Sequence, residues 1–123
     1  MHPLYPEIRS LVLKTSGLAD VLREALGQAE ILVAFVFGSL AEGREKPGSD
    51  VDLLVVGSAS LRQVSKLLSG VALRLGREIN PHLLTPLEFA RRKRDEDNFL
   101  TSVLSAPKLF VIGGKDELEA VGR

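Results

Sequence analysis

Apolar positions along this chain recur with two different periods, and the alternation between them lays out the elements. From Glu7 to about Leu26, Ile8, Leu11, Val12, Leu18, Val21, Leu22 and Leu26 fall at helical spacing. The pattern is interrupted near Ser16-Gly17 and stopped by Gly27, so one or two helices are expected after an extended, proline-bearing start. Ile31 to Phe37 changes character: it is β-branched and aromatic with no polar residue, which predicts a strand buried on both faces. Gly38-Ser39 ends it abruptly, with Ser39 placed to cap a short helical segment over Leu40 to Glu45. The loop Lys46-Pro47-Gly48-Ser49 leads into a second apolar strand, Asp50 to Val56.

The second half is equally segmented. After the turn Gly57-Ser58-Ala59-Ser60, Ser60 can cap a helix from Leu61 to about Leu75 that Gly76 terminates. A third strand follows over Glu78 to Leu84, and Pro81 within it argues for an edge position or a bulge, because proline cannot donate to a ladder. Thr85-Pro86-Leu87-Glu88 combines an N-cap, a proline at the first helical position and a Glu at the third. Helix is expected from Phe89 to Leu104 with a break around Asp95-Glu96-Asp97, then a short strand over Lys108 to Ile112 ended by Gly113-Gly114. The tail Asp116 to Val121 has room for one or two helical turns. This order predicts an α/β (α+β) domain, a mixed sheet of about four strands with helices mainly on one face.

Size and charge narrow the picture. At 123 residues the chain suits a single domain: an N-terminal helical segment (1–30), a core (31–112) and a tail (113–123). There is room for one core, of which 45% hydrophobic residues are the material, but not for a catalytic domain plus a reader. Acidic and basic residues balance at 16 each, so no global field would hold a nucleic-acid polymer, and a small nucleotide is the easier ligand. The run Arg91-Arg92-Lys93-Arg94 spreads around a helix and reads as a solvated face. The absence of cysteine excludes disulfides and thiolate metal sites. No apolar run reaches membrane-spanning length and the N-terminus lacks a signal-peptide pattern, so a cytoplasmic protein is expected.

The chemistry concentrates at residues 38–52. Gly38 lets the backbone turn with nothing in the way of an incoming group, and a helix start at Ser39 would offer free N–H groups to phosphate oxygens. The strand period of two puts Asp50 and Asp52 on the same face. Two converging carboxylates at the head of an apolar strand repel unless a cation or shared proton intervenes. A hard divalent cation resolves this, since Mg²⁺ is commonly held by one or two carboxylates together with substrate phosphates. A turn followed by a loop-capping Asp pair would account for the glycine and serine, but not for two acids on one strand face.

Gly38-Ser39 followed at an interval by Ser49-Asp50-Val51-Asp52-Leu53-Leu54-Val55 resembles the signature of the DNA polymerase β-like nucleotidyltransferase superfamily, and the small single-domain minimal nucleotidyltransferases in particular. The resemblance implies that Gly38, Ser39, Arg44 and Ser49 contact the nucleotide and that Asp50 and Asp52 bind Mg²⁺ and take part in catalysis. It also implies a third carboxylate on a later strand, and here the chain departs from the pattern. Ile79-Asn80-Pro81 puts Asn80, a neutral amide, where that acid belongs. Glu78 lies two positions away on the same face with a longer reach, while His82 is more naturally a structural strand residue than a base. In the turn, where related sequences often carry a basic residue, this chain has Leu40-Ala41-Glu42-Gly43, and Arg44 stands one step further on.

The leading expectation is an enzyme that binds Mg²⁺-NTP and transfers the NMP moiety to an acceptor, releasing pyrophosphate. The alternative is a catalytically impaired nucleotide-binding module, an antitoxin-like partner of a separate helical protein of the HEPN type, as minimal members often resemble. No membrane partner and no strong nucleic-acid signal are expected, and assembly into a homo-oligomer is left open.

Overall fold

The computed structural model describes residues 15–44 and 49–123. Among them the order is α1 (Thr15–Leu26), β1 (Ile31–Phe37), β2 (Val51–Gly57), α2 (Leu61–Leu75), β3 (Ile79–Leu84), α3 (Pro86–Arg94), α4 (Asn98–Ser105), β4 (Leu109–Ile112) and α5 (Lys115–Val121). The expected extended start and the first part of the N-terminal helical pattern lie outside the described residues. Helix α1 begins at Thr15, beside the Ser16-Gly17 interruption expected in that pattern.

The strands form one mixed sheet in the order β3-β2-β1-β4. β1 pairs antiparallel with β2 on one side and with β4 on the other, whereas β2 and β3 run parallel. The parallel pair requires a crossover, and α2 supplies it. Pro81 sits on the edge strand β3, as its missing N–H demands.

The two faces of the central strands sort the helices. Ala34 and Val36 of β1 and Val51, Leu53 and Val55 of β2 pack with Leu22 and Leu26 of α1 and Val64, Leu68 and Val71 of α2. Val33 and Phe35 with Leu54 and Val56 face the other way, onto Phe89 of α3, Leu100 and Val103 of α4 and Leu118 of α5. The two long helices thus cover one face and three short ones the other, a more even division than the sequence suggested. A strand that is apolar on both faces needs cover on both.

The caps explain the boundaries. Ser60 accepts from the Gln63 N–H at 3.1 Å, and Gly76 closes α2 in the left-handed region at φ +64°. Thr85 and Glu88 form a reciprocal capping box on α3, and the Thr85 backbone N–H holds the Glu88 carboxyl below its ordinary pKa. The expected break falls at Glu96, which takes φ +55°, and Asp97 restarts the chain as α4 by accepting from the Leu100 N–H. No helix among the described residues is long and apolar enough to cross a membrane.

Two glycines give opposite predictions. At Gly57 a Cβ would press into the Glu30 carbonyl and lie 2.8 Å from the Ile31 Cα, both backbone atoms of the neighbouring chain segment. Gly57→Ala is therefore expected to cost about 1–3 kcal/mol through overpacking. Gly70, in the middle of α2, has nothing within 4 Å of such a Cβ. Gly70→Ala is expected to stabilise by about 0.5–1 kcal/mol through helix propensity. Urea denaturation midpoints moving in opposite directions for the two variants are the check.

Candidate active site

The site is built where the C-terminal end of β1 meets the N-terminal end of β2. Antiparallel register sets Phe37 opposite Asp52, and the parallel register on the other side sets Asn80 opposite Asp52. Asp52 shares its face with Leu54 and Val56, the face covered further along by the short helices. It is half-buried, while Asp50, just before the strand, is exposed. Carboxylates placed at the mouth of the sheet keep access to water and to ligands.

The turn after β1 lies directly against Asp52. Gly38 has φ +81°, a conformation L side chains rarely adopt, and a Cβ there would meet Asp52 Oδ2 at 2.8 Å. The expected freedom of Gly38 is thus required twice, by the backbone angle and by the carboxylate beside it. Ser39 begins a single helical turn closed by Glu42 N–H to Gly38 O at 3.1 Å and Arg44 N–H to Ser39 O at 2.8 Å. The helix expected over Leu40 to Glu45 stops after that turn because Gly43 swings to φ +74°; Glu45 lies outside the described residues. Leu40, buried against the long-helix face, pins the turn to the core.

The remaining residues divide into those brought together and those held apart. Asn80 Nδ2 donates to Asp50 Oδ2 across 3.4 Å, so the amide lies beside the first of the two acids. Glu78 lies one residue before β3 with its side chain exposed, and its carbonyl accepts from the Val51 N–H at 2.8 Å. Ser49 closes the loop into β2, its carbonyl accepting from Arg77 Nη1 at 3.2 Å. Arg44 points to Glu42 in an exposed 2.7 Å ion pair, a contact worth at most about 1 kcal/mol, for which a phosphate would compete. Among the described residues no group of three or more His, Asp or Glu side chains could hold a metal. Beside the turn stand two carboxylates, with the Asn80 amide N–H turned to the first of them, and a carboxylate pair suits a hard cation that takes its other ligands from water and phosphate.

Sequence reasoning missed a group of rings next to this set. His82, one strand step beyond Asn80, lies 5.5 Å from Phe37 and 5.5 Å from Phe99 between ring centroids. His82 and Phe99 open onto a cavity of about 470 Å³ that also receives Glu88 and Arg92. Period two from Asn80 had already put His82 on this face, but not its ring partners. Nothing local would have found Phe99, which α4 brings in from far along the chain. Arg77, which braces Ser49, was equally invisible.

Comparison with known proteins follows the same geometry. The family model described as a nucleotidyltransferase domain matches residues 17–104. No curated protein matches the sequence. A toxin–antitoxin pair, MntA–HpeT, carrying two aspartate-to-glutamate substitutions, superposes with a TM-score of 0.59 at 15% identity over 89% of this chain and 82% of that one. A toxin–antitoxin structure with AMP-PNP gives 0.58 at 16% identity over 83% and 78%. A tri-AMPylated Shewanella oneidensis HEPN toxin in complex with MNT antitoxin gives 0.52 at 14% identity over 88% and 76%. At such identities the likeness establishes the fold. The family match, by contrast, spans well over half of the chain and takes in the turn, the aspartate pair and Asn80, so this chain belongs to the nucleotidyltransferase domain family.

Proposed function

We propose that this protein binds a nucleoside triphosphate with Mg²⁺ and transfers the nucleoside monophosphate to a hydroxyl group of an acceptor. The observation that carries the reading is the close approach of Gly38 to Asp52: a side-chain-free turn laid against one carboxylate of the Asp50–Asp52 motif. In the reaction the acceptor oxygen bonds to the α-phosphorus, the bond to the bridging oxygen breaks, and pyrophosphate leaves. The acceptor proton passes to solvent or to a nearby base.

Each residue has a part in that step. The turn at Gly38 and Ser39 receives the phosphates with its N–H groups, and Arg44 can leave Glu42 to meet them. Ser49, held by Arg77 just ahead of β2, is a further contact for the nucleotide. Asp50 and Asp52 would hold Mg²⁺, which when bound neutralises charge developing on the transferring phosphoryl group. Positioning and electrostatic stabilisation do the rest. Asn80 holds Asp50 in place but adds no charge, which makes transfer slow.

The structural neighbours support a protein acceptor. One of them contains a tri-AMPylated HEPN toxin with its MNT antitoxin, the product this chemistry gives when the NTP is ATP. Another carries substitutions at two aspartates spaced two apart, as Asp50 and Asp52 are. We infer that a helical HEPN-type protein is the partner. The second reading, a nucleotide-binding antitoxin with little catalysis, draws on Asn80 and on the toxin–antitoxin structures among the neighbours.

Three outcomes are expected. Mg²⁺ strengthens ATP or GTP binding in titration calorimetry, and Asp50→Asn with Asp52→Asn abolishes that gain while the fold persists; equal affinity with and without Mg²⁺ in the parent protein counts against the site. Gly38→Val blocks nucleotide binding far more than it lowers the unfolding midpoint, because the new side chain collides with the Asp52 carboxylate. Asn80→Asp raises pyrophosphate release from labelled NTP, measured with the partner protein, on the order of tenfold. Glu78→Gln leaves the rate nearly unchanged, and a collapse of activity in that variant would move the third carboxylate to Glu78.

A further inference from the structure

A second cavity, of about 460 Å³, lies between α3, the α4–β4 connection and α5. That volume falls in the range of about 300–1,000 Å³ typical of small-ligand sites. It shares no lining residue with the cavity at His82 and Phe99, and none of the nucleotide or metal residues reaches it.

Its floor is apolar. Phe89 and Leu118 belong to the core beneath, while Leu104 and Phe110 are only half-buried and leave hydrocarbon surface to the cavity. Its wall is cationic: Lys93, Lys108 and Lys115 from three different elements stand against one carboxylate, Glu119. Lys108 is fixed in place, its Nζ donating to Leu104 O at 2.6 Å and Ala106 O at 2.9 Å and lying 6.0 Å from the Phe35 ring centroid. Burial holds the Lys108 ammonium below its ordinary pKa, and a nearby anion would offset that loss of hydration.

We propose that this cavity is a ligand site separate from the nucleotide site, taking a small organic anion with an apolar body, such as a medium-chain carboxylate. The hydrocarbon body covers Leu104 and Phe110, and the carboxylate meets Lys108 with Lys115 beside it. A neutral apolar ligand would bring no charge to the lysine wall, which has three ammonium groups to one carboxylate, and a small inorganic anion would leave the floor wet.

The test is an NMR titration of the intact chain with decanoate, decan-1-ol and acetate in parallel. Decanoate is expected to shift the signals of Leu104, Phe110 and Leu118 saturably and to raise the Lys108 pKa, with Glu119 and Lys93 the other titrating groups to follow. Decan-1-ol should bind about tenfold more weakly or worse, and acetate should not bind. Lys108→Gln with Lys115→Gln should weaken decanoate at least about tenfold. If loss of the Lys108 hydrogen bonds unfolds that variant, Lys115→Gln alone should still weaken decanoate relative to decan-1-ol. Equal binding of the alcohol, shifts away from the cavity, no saturation, or indifference to the lysine substitutions would each overturn the proposal. Shifts at the cavity only when a protein partner is added would assign it to that partner instead.

Discussion

The antiparallel pairing of β1 with β2 runs from Ile31 opposite Gly57 to Phe37 opposite Asp52, and the whole site depends on that register. A slip of one residue would turn Asp52 toward the long-helix face, among Val51, Leu53 and Val64, where a carboxylate has neither water nor a partner. Apolar burial on both faces therefore fixes where the acids emerge. The close approach at Gly57 locks one end of the pair and the Gly38 turn closes the other. The core specifies the site by leaving it only one place to be.

At the mouth of the sheet the balance is electrostatic. Asp50 and Asp52 lie on one face with the Asn80 amide bonded to the first of them, an arrangement with two negative charges and one neutral donor. Such a set holds one hard cation more readily than two. On the proposed reading this is the nucleotide half of a nucleotidyltransferase site, with the Asn80 amide standing where a third acid would be.

Much of this was legible in the chain. Ser60 and Gly76 bounded α2 at both ends, Pro81 put β3 on an edge, and the break at Asp95-Glu96-Asp97 fell where three polar residues interrupt an apolar period. The aspartate pair and Gly38 were readable because strand period and turn chemistry are local. The even cover of the sheet was harder to see, although Ile31 to Phe37, apolar throughout, already required it. The length of the helical turn depended on Gly43, whose left-handed backbone no apolar pattern announces. Phe99, Arg77 and the lysine-walled cavity arise from tertiary contact between distant segments, which one-dimensional periodicity does not encode.

The proposed function requires the Gly38 turn and the Asp50–Asp52 pair to form one metal–nucleotide site. Mn²⁺, which can replace Mg²⁺ and broadens nearby NMR signals, tests it directly when added with a non-hydrolysable NTP analogue. The account predicts selective loss of the amide signals of Gly38, Ser39, Asp50, Asp52 and Asn80, with the α5 signals unaffected. Broadening centred elsewhere, or broadening of Asp50 and Asp52 that leaves Gly38 and Ser39 untouched in the presence of the analogue, would contradict it.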